Sequence, residues 1–371
     1  MSIKNLNSEV RVLMNVTIVG GGNVGTQFAV HCSSTGNEVT IYTSKPEKFK
    51  KELMIVDENN DVVYKGKIVL ATNDPERAFK FADLIFITYP SFELEEISNI
   101  IYPYVKKNVK ICLVPGTGGG EWYFRKCIEK GAIIFGLQRV PSVARLVKYG
   151  EVVKAVGYRK ELKLASIPNK YGKECKRIID NIFKMNTIIV PNYLNITLTP
   201  SNPILHTTRL KTLFDDYYDG KVYDKIPLFY EDWNDKSSEL LLKCDNEVQK
   251  ICKKIDVDLS EVKSLKEHYE SKNEQELTNK MRSIESLKGL ETPNIQLKNG
   301  YIPDFSSRYF SADFPYGLEI LVQVGNLAGV EIPNMKETLE WYKSLNLENK
   351  YFDFSKIEVN TLSDLLDLYK L

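Results

Sequence analysis

Short apolar runs alternate with amphipathic stretches through the first half of the chain and then give way to a longer period. VTIVG (16–20), EVTIY (38–42), KIVLA (67–71), DLIFIT (83–88), KICLV (110–114) and AIIFGL (132–137) each have the length of a buried strand, and helical spacing separates them. Strands alternating with helices predict an α/β fold built on a doubly wound parallel sheet covered on both faces. VVKAVGY and ELKLASI are expected to add strands at an edge, with TIIVP (187–191) closing this half. From about residue 200 the period becomes 3.6, in KSSELLLKCDNEVQKICKKI (236–255), GLEILVQVGNLAG (317–329) and MKETLEWYKSL (335–345), which predicts an all-α second half. The three prolines of VPNYLNITLTPSNP (190–203) mark the passage between them, and the expected division is 1–198 and 199–371. The run KEHYESKNEQELTNKMRS (266–283) reads as a solvated helical face, and the first fourteen residues as a short, loosely held extension.

Composition narrows the partners. Fifty Lys and Arg against 49 Asp and Glu give a net charge of +1, so no global field draws the chain to nucleic acid or to an anionic membrane, and small molecules are the expected ligands. No run of ~18 uncharged apolar residues offers a membrane span. The six cysteines show neither a C-x-x-C pair nor a Cys/His cluster, so no metal site is expected and a reducing cytoplasm is the expected location. The twenty-one tyrosines are compatible with a homodimer.

The chemistry begins at VTIVGGGNVGTQFAVHC. Gly20, Gly22 and Gly25 have the spacing G-x-G-x-x-G between a strand and a helix, the context of a Rossmann dinucleotide site. The first glycine permits the turn, the second admits a pyrophosphate to the backbone, and the third brings helix against strand. Asn23 and Val24 open the helix whose amides face the phosphates. The second strand ends in Thr43, Ser44 and Lys45 where an acid would bind the ribose of NAD; hydroxyls and a cation suit a 2′-phosphate, so NADP is preferred over NAD. Pro90 and Ser91, after the fourth strand-like run, are expected to wall the nicotinamide half. The glycine run in VPGTGGGEW (114–122) reads equally as close approach to a ligand or as a flexible turn. His31, inside the glycine-turn helix, is expected to pack.

NPILHTTRL (202–210) starts the second half, with Asn202 as N-cap and Pro203 in the first turn, which sets His206 near the positive end of a helix at the cleft between the halves. A lone histidine is more often a satisfied core or surface group. FSSRYFSADFPYGLEILVQ (305–323) supplies what His206 would need, a carboxylate in Asp313 and a fork for a substrate carboxylate in Arg308, before a helix opened by Pro315. Taken alone, Asp313 reads equally as a helix cap and Arg308 as a surface charge.

NPILH followed by SRYFSADFPYGL, behind an N-terminal G-x-G-x-x-G unit, resembles the octopine/nopaline (opine) dehydrogenase family. The resemblance implies a Rossmann domain followed by a helical catalytic domain. It also implies joining of an amino acid to a 2-oxo acid, pyruvate by default, with NADH or NADPH reducing the imine. His206 and Asp313 would be the catalytic dyad and Arg308 the carboxylate anchor, while His268 matches nothing and is expected to be exposed. Thr207, Thr208 and Arg209 depart from the proline or glycine that often follows this motif in the family, and FGLQRVPSVARL places Gln138 and Arg139 near the cleft without a role. Two alternatives stand beside this reading: an NADP-dependent 2-oxo acid or ketopantoate-type reductase, and a catalytically silent NADP(H)-sensing protein.

Overall fold

The computed structural model describes residues 13–200 and 202–371, so nearly all of the expected N-terminal extension lies outside the described residues. Among the described residues of the first half, twelve strands form. They are β1 (Asn15–Val19), β2 (Glu38–Tyr42), β3 (Glu52–Val56), β4 (Val62–Lys67), β5 (Leu70–Thr72), β6 (Leu84–Ile87), β7 (Lys110–Leu113), β8 (Ile133–Leu137), β9 (Val143–Lys148), β10 (Val152–Val156), β11 (Glu161–Ile167) and β12 (Asn186–Ile189). Eight of them make one sheet in the order β12-β11-β8-β7-β6-β1-β2-β5. Pairing is parallel from β5 through β8; β11 then runs antiparallel to β8, with β12 parallel to β11. Every residue of β6 and β8 is buried, as strands covered on both faces require.

The expected edge position of VVKAV is corrected. It forms β10 in a separate four-stranded sheet, ordered β4-β3-β10-β9, rather than joining the main one. The KIVLA run is also divided, because Lys67 ends β4 in the small sheet while Leu70 begins β5 in the large one. This second sheet covers the glycine-turn helix, Asn23–Ser34, whose residues from Gly25 to Cys32 are all buried. His31 packs there as expected: its Nε2 lies 3.0 Å from the Tyr158 hydroxyl, and burial pushes it down to about 4.

The second half is helical, with its longest helices at Asn202–Phe214, Asp235–Lys254, Glu274–Ser283 and Pro333–Ser344. A hairpin of β13 (Asn294–Leu297) and β14 (Gly300–Pro303) interrupts the all-α expectation. The charged run divides into two helices, Leu265–His268 and Glu274–Ser283, in place of the single expected face. At its end the chain returns to the first half: Trp122 Nε1 donates to the Tyr369 hydroxyl at 2.9 Å, and that hydroxyl donates to Glu121 at 2.6 Å. One hydrophobic core accordingly runs from Val19 and Ile87 of the main sheet to Phe314 and Tyr342 of the helical half.

Candidate active site

The carboxyl edge of the parallel strands faces the helical half across a cavity of about 390 Å³. Val24, Pro90, Ser91, Thr117 and Gly118 line it from the first half, and His206, Arg308, Tyr309 and Asp313 line it from the second. This is the place where an open α/β sheet admits ligands.

The glycine turn is built as the spacing requires. Gly20 has φ +108°, and a Cβ there would stand 2.6 Å from Thr88 Oγ1; a Cβ on Gly25 would stand 1.9 Å from the Gly20 carbonyl oxygen. Neither position tolerates a side chain. A Cβ on Gly22, by contrast, would meet no protein atom within 4 Å, so the backbone there is bare toward open space at the start of a helix. That combination fits a pyrophosphate. The Asn23 side chain is occupied elsewhere, its Oδ1 accepting the Leu146 amide at 2.8 Å, which leaves its main chain at the turn. At the end of β2, Thr43 is buried and its Oγ1 accepts the Lys45 amide at 3.3 Å, whereas Ser44 and Lys45 are exposed.

His206 lies in the first turns of the Asn202–Phe214 helix, which starts at Asn202 itself, with Pro203 next. The residue is 4% exposed and its ring stacks on Tyr309 with centroids 3.9 Å apart. Nδ1 is 2.8 Å from Asp313 Oδ2, and Nε2 is 3.2 Å from the Tyr230 hydroxyl. An ionised carboxylate only accepts, so Nδ1 carries the proton and Nε2 accepts from Tyr230. Burial raises the Tyr230 phenol well above its ordinary range, so the hydroxyl stays protonated.

Asp313 is delivered by a π-helical turn, Asp313–Leu318, ahead of the helix Glu319–Leu327. Pro315 therefore sits inside the wide turn rather than opening a helix, which corrects the expectation. Gly317 makes the approach possible, because a Cβ there would stand 2.9 Å from Pro203. The π turn thus rests directly on the start of the His206 helix. Arg308, on the next short helix toward the N-terminus, is exposed at the cavity wall.

Two residues to which the sequence assigns no site role stand behind His206. Tyr230 comes from PLFYEDW, an aromatic loop with no motif of its own, and Arg209 holds that loop in place. The buried guanidinium of Arg209 donates to the carbonyls of Phe229 (3.1 Å), Leu228 (3.3 Å) and Asp232 (2.7 Å) and to Ser237 Oγ (3.0 Å). Burial lowers it to about 10. Thr207 and Thr208 turn inward to the carbonyls four residues back. The stretch after NPILH is thus a buried clamp that does not line the cavity.

Among the described residues no group of His, Cys, Asp and Glu is arranged to hold a metal ion, and no helix is long and apolar enough to cross a membrane.

Residues 189–346 match the family described as NAD/NADP octopine/nopaline dehydrogenase, alpha-helical domain, and residues 15–118 match the NAD-dependent glycerol-3-phosphate dehydrogenase N-terminus. A tauropine dehydrogenase of Arabella iricolor is 26% identical, covering 89% of this chain and 91% of its own. An octopine dehydrogenase of Pecten maximus is 26% identical, covering 88% and 89%. The fold is that of a solved octopine dehydrogenase with NADH and pyruvate, at 22% identity and TM-score 0.80, covering 95% of this chain and 98% of the other. With a Rossmann half, a helical half that carries the octopine/nopaline dehydrogenase domain, and likeness along nearly the whole length of these relatives, the chain resembles the octopine/nopaline (opine) dehydrogenases, whose members are NAD(P)-dependent oxidoreductases acting on CH–NH donors.

Proposed function

We propose that this chain condenses an amino acid with a 2-oxo acid and reduces the product with NADPH in preference to NADH, and that it catalyses the reverse oxidation. The observation that carries the reading is the His206–Asp313 pair, 2.8 Å apart, in a cavity whose other wall is the carboxyl edge of the nucleotide-binding sheet. The division of labour follows the chain, with the dinucleotide held by 1–198 and the substrates met chiefly by 199–371.

Arg308 grips the carboxylate of the 2-oxo acid through its two-pronged donor. The amine attacks the carbonyl carbon, His206 takes up at Nε2 the protons that the nitrogen sheds and passes them to the departing oxygen, and water leaves as the imine forms. Asp313 keeps the ring in the required tautomer and balances its positive charge, and Tyr230 provides the hydroxyl through which Nε2 exchanges its proton. The dinucleotide, when bound along Gly20, Gly22 and the backbone of Asn23, Val24 and Gly25, with Pro90 beside its nicotinamide end, supplies the hydride that reduces the imine. Amine, oxo acid, hydride and one proton become a secondary amine and water. Ser44 and Lys45, exposed at the end of β2 in place of a carboxylate, favour the 2′-phosphate of NADPH.

The test is NADPH oxidation with pyruvate, with and without a panel of amino acids. Turnover is expected only when both are present. An oxo acid reduced equally fast without any amine would make the chain a simple 2-oxo acid reductase.

A further inference from the structure

Arg139 follows β8 and Arg159 precedes β11, and both line the cavity that holds His206. Backbone carbonyls fix their positions: Arg139 Nη2 donates to Pro200 at 3.2 Å and Arg159 Nε to Val140 at 3.0 Å. Partial desolvation lowers both guanidiniums, and the nearby charge of Arg159 lowers Arg139 further. Like charges brought together on a partly desolvated wall favour an anion between them.

The same two arginines also form one side of an adjoining cavity of about 210 Å³. Lys163, Lys263, Glu161 and Glu261 complete its charged lining, with Lys163 and Glu261 paired at 2.6 Å. His268 is exposed at its rim; desolvation of the ring, then the fields of Arg139, Arg159 and Lys163, push it down to about 4, so it adds no charge at neutral pH. Cations outnumber carboxylates there.

Condensing an amino acid with a 2-oxo acid brings one carboxylate from each partner. Among the described residues, the catalytic cavity presents three guanidiniums, Arg308, Arg139 and Arg159, against the single carboxylate of Asp313. Three guanidiniums outnumber those two carboxylates, and Arg139 and Arg159 both open onto a further cationic space.

Resting on the opine dehydrogenase reading, we propose that one of the two substrates carries a second anionic group at the end of its side chain, and that Arg159 with Arg139 binds that group at the junction of the two cavities. These arginines are then the specificity-determining pair, and the substrate class is a dicarboxylic amino acid or a dicarboxylic 2-oxo acid. Isosteric compounds that differ only in charge separate the two sources. Glutamate is compared with glutamine as the amine, each with pyruvate; 2-oxoglutarate is compared with its 5-amide as the oxo acid, each with alanine. Initial rates of NADPH oxidation give kcat/KM, and calorimetric titration of the same compounds into the NADP⁺ complex gives the comparison without turnover.

In one series the dianion is expected to exceed its amide by about 10- to 10²-fold. Arg159→Met, a change at an exposed position, removes most of that ratio through KM, and Arg159→Glu moves the preference toward a cationic side chain such as lysine. Amides used or bound as well as the acids in both series would overturn the proposal, as would a preference that survives both Arg159→Met and Arg139→Met. In either case a continuing need for the amine leaves the opine reading standing. Oxidation of NADPH that ignores the amine overturns that reading and the proposal with it.

Discussion

Replacing Asp313 with Asn keeps the shape of the dyad and removes its charge. The carboxylate lies 2.8 Å from His206 Nδ1, and the His206 and Asp313 side chains are only 5% and 18% exposed, so water screens the pair weakly. Unit charges about 4 Å apart interact by about 4 kcal/mol at the effective dielectric constant of about 20 that suits such sites. All of that interaction is available when the imidazole is cationic and almost none when it is neutral, so it acts on the proton-transfer step. Four kcal/mol is about 10³-fold in rate, and the remaining exposure of Asp313 makes this an upper value. The introduced side-chain amide can also turn its NH₂ toward Nδ1 and force the proton onto Nε2, where the Tyr230 hydroxyl then loses its acceptor. Both effects lower kcat and leave NADPH affinity alone, because the glycine turn is in the other half. Single-turnover loss of NADPH absorbance, beside a cofactor titration, measures the two separately. A kcat for Asp313→Asn within tenfold of wild type, at unchanged stability, would refute the charge-balancing role.

Arg209→Met is expected to cost about 3–5 kcal/mol of stability, since it strands buried carbonyls that the guanidinium now satisfies, and chemical denaturation would register it. Lys45→Glu is expected to reverse the cofactor preference toward NADH, read from KM for the two cofactors. Glu121 is fully buried, and burial pushes its carboxyl up to about 7 although Thr197 and Tyr369 donate to it. A folded pKa above the unfolded one means stability that is complete below about pH 4.5 and is lost as pH rises through about 7, a span worth about 3 kcal/mol. Glu121→Gln is therefore expected to be more stable than wild type at pH 8 and little different at pH 4.5, and parallel melting curves for the two proteins across that range would contradict this.

The central strands are legible because each is a short, largely buried apolar run, and the glycine turn because its spacing follows directly from backbone sterics. The small sheet is not. β4 is exposed at five of six positions, and β9 and β10 carry charged residues, so neither gives the continuous apolar run of a strand covered on both faces. Its nearest signal is the glycine-turn helix, which is buried along most of its length and so needs cover on the side away from the main sheet. At the site, His206, Asp313 and Arg308 can be read because they lie in two compact motifs. Tyr230 cannot, since what makes it a partner of His206 is the Arg209 clamp, an arrangement of carbonyl groups that leaves no pattern in residue types. The π turn is equally hidden: Pro315 marks a helix start by local preference, and only the close contact of Gly317 with Pro203 decides otherwise.

The returning C-terminal segment ties the two sides of the cleft together a second time. Phe352 is bound to the helical half through Pro315 and Gln323, while Phe352 and Phe354 set their rings against Tyr123 and Trp122 of the first half. The backbone therefore crosses between the halves twice, near 190–203 and again near 352–354, like a door hung on two pins. Those two crossings, and the hydrophobic core that both halves share, fix how the two leaves face each other across the cleft. His206, Asp313 and Arg308 all belong to the same leaf of that door. Any change in the angle between the leaves would therefore carry the proton-transfer pair along intact and alter only its distance from the glycine turn.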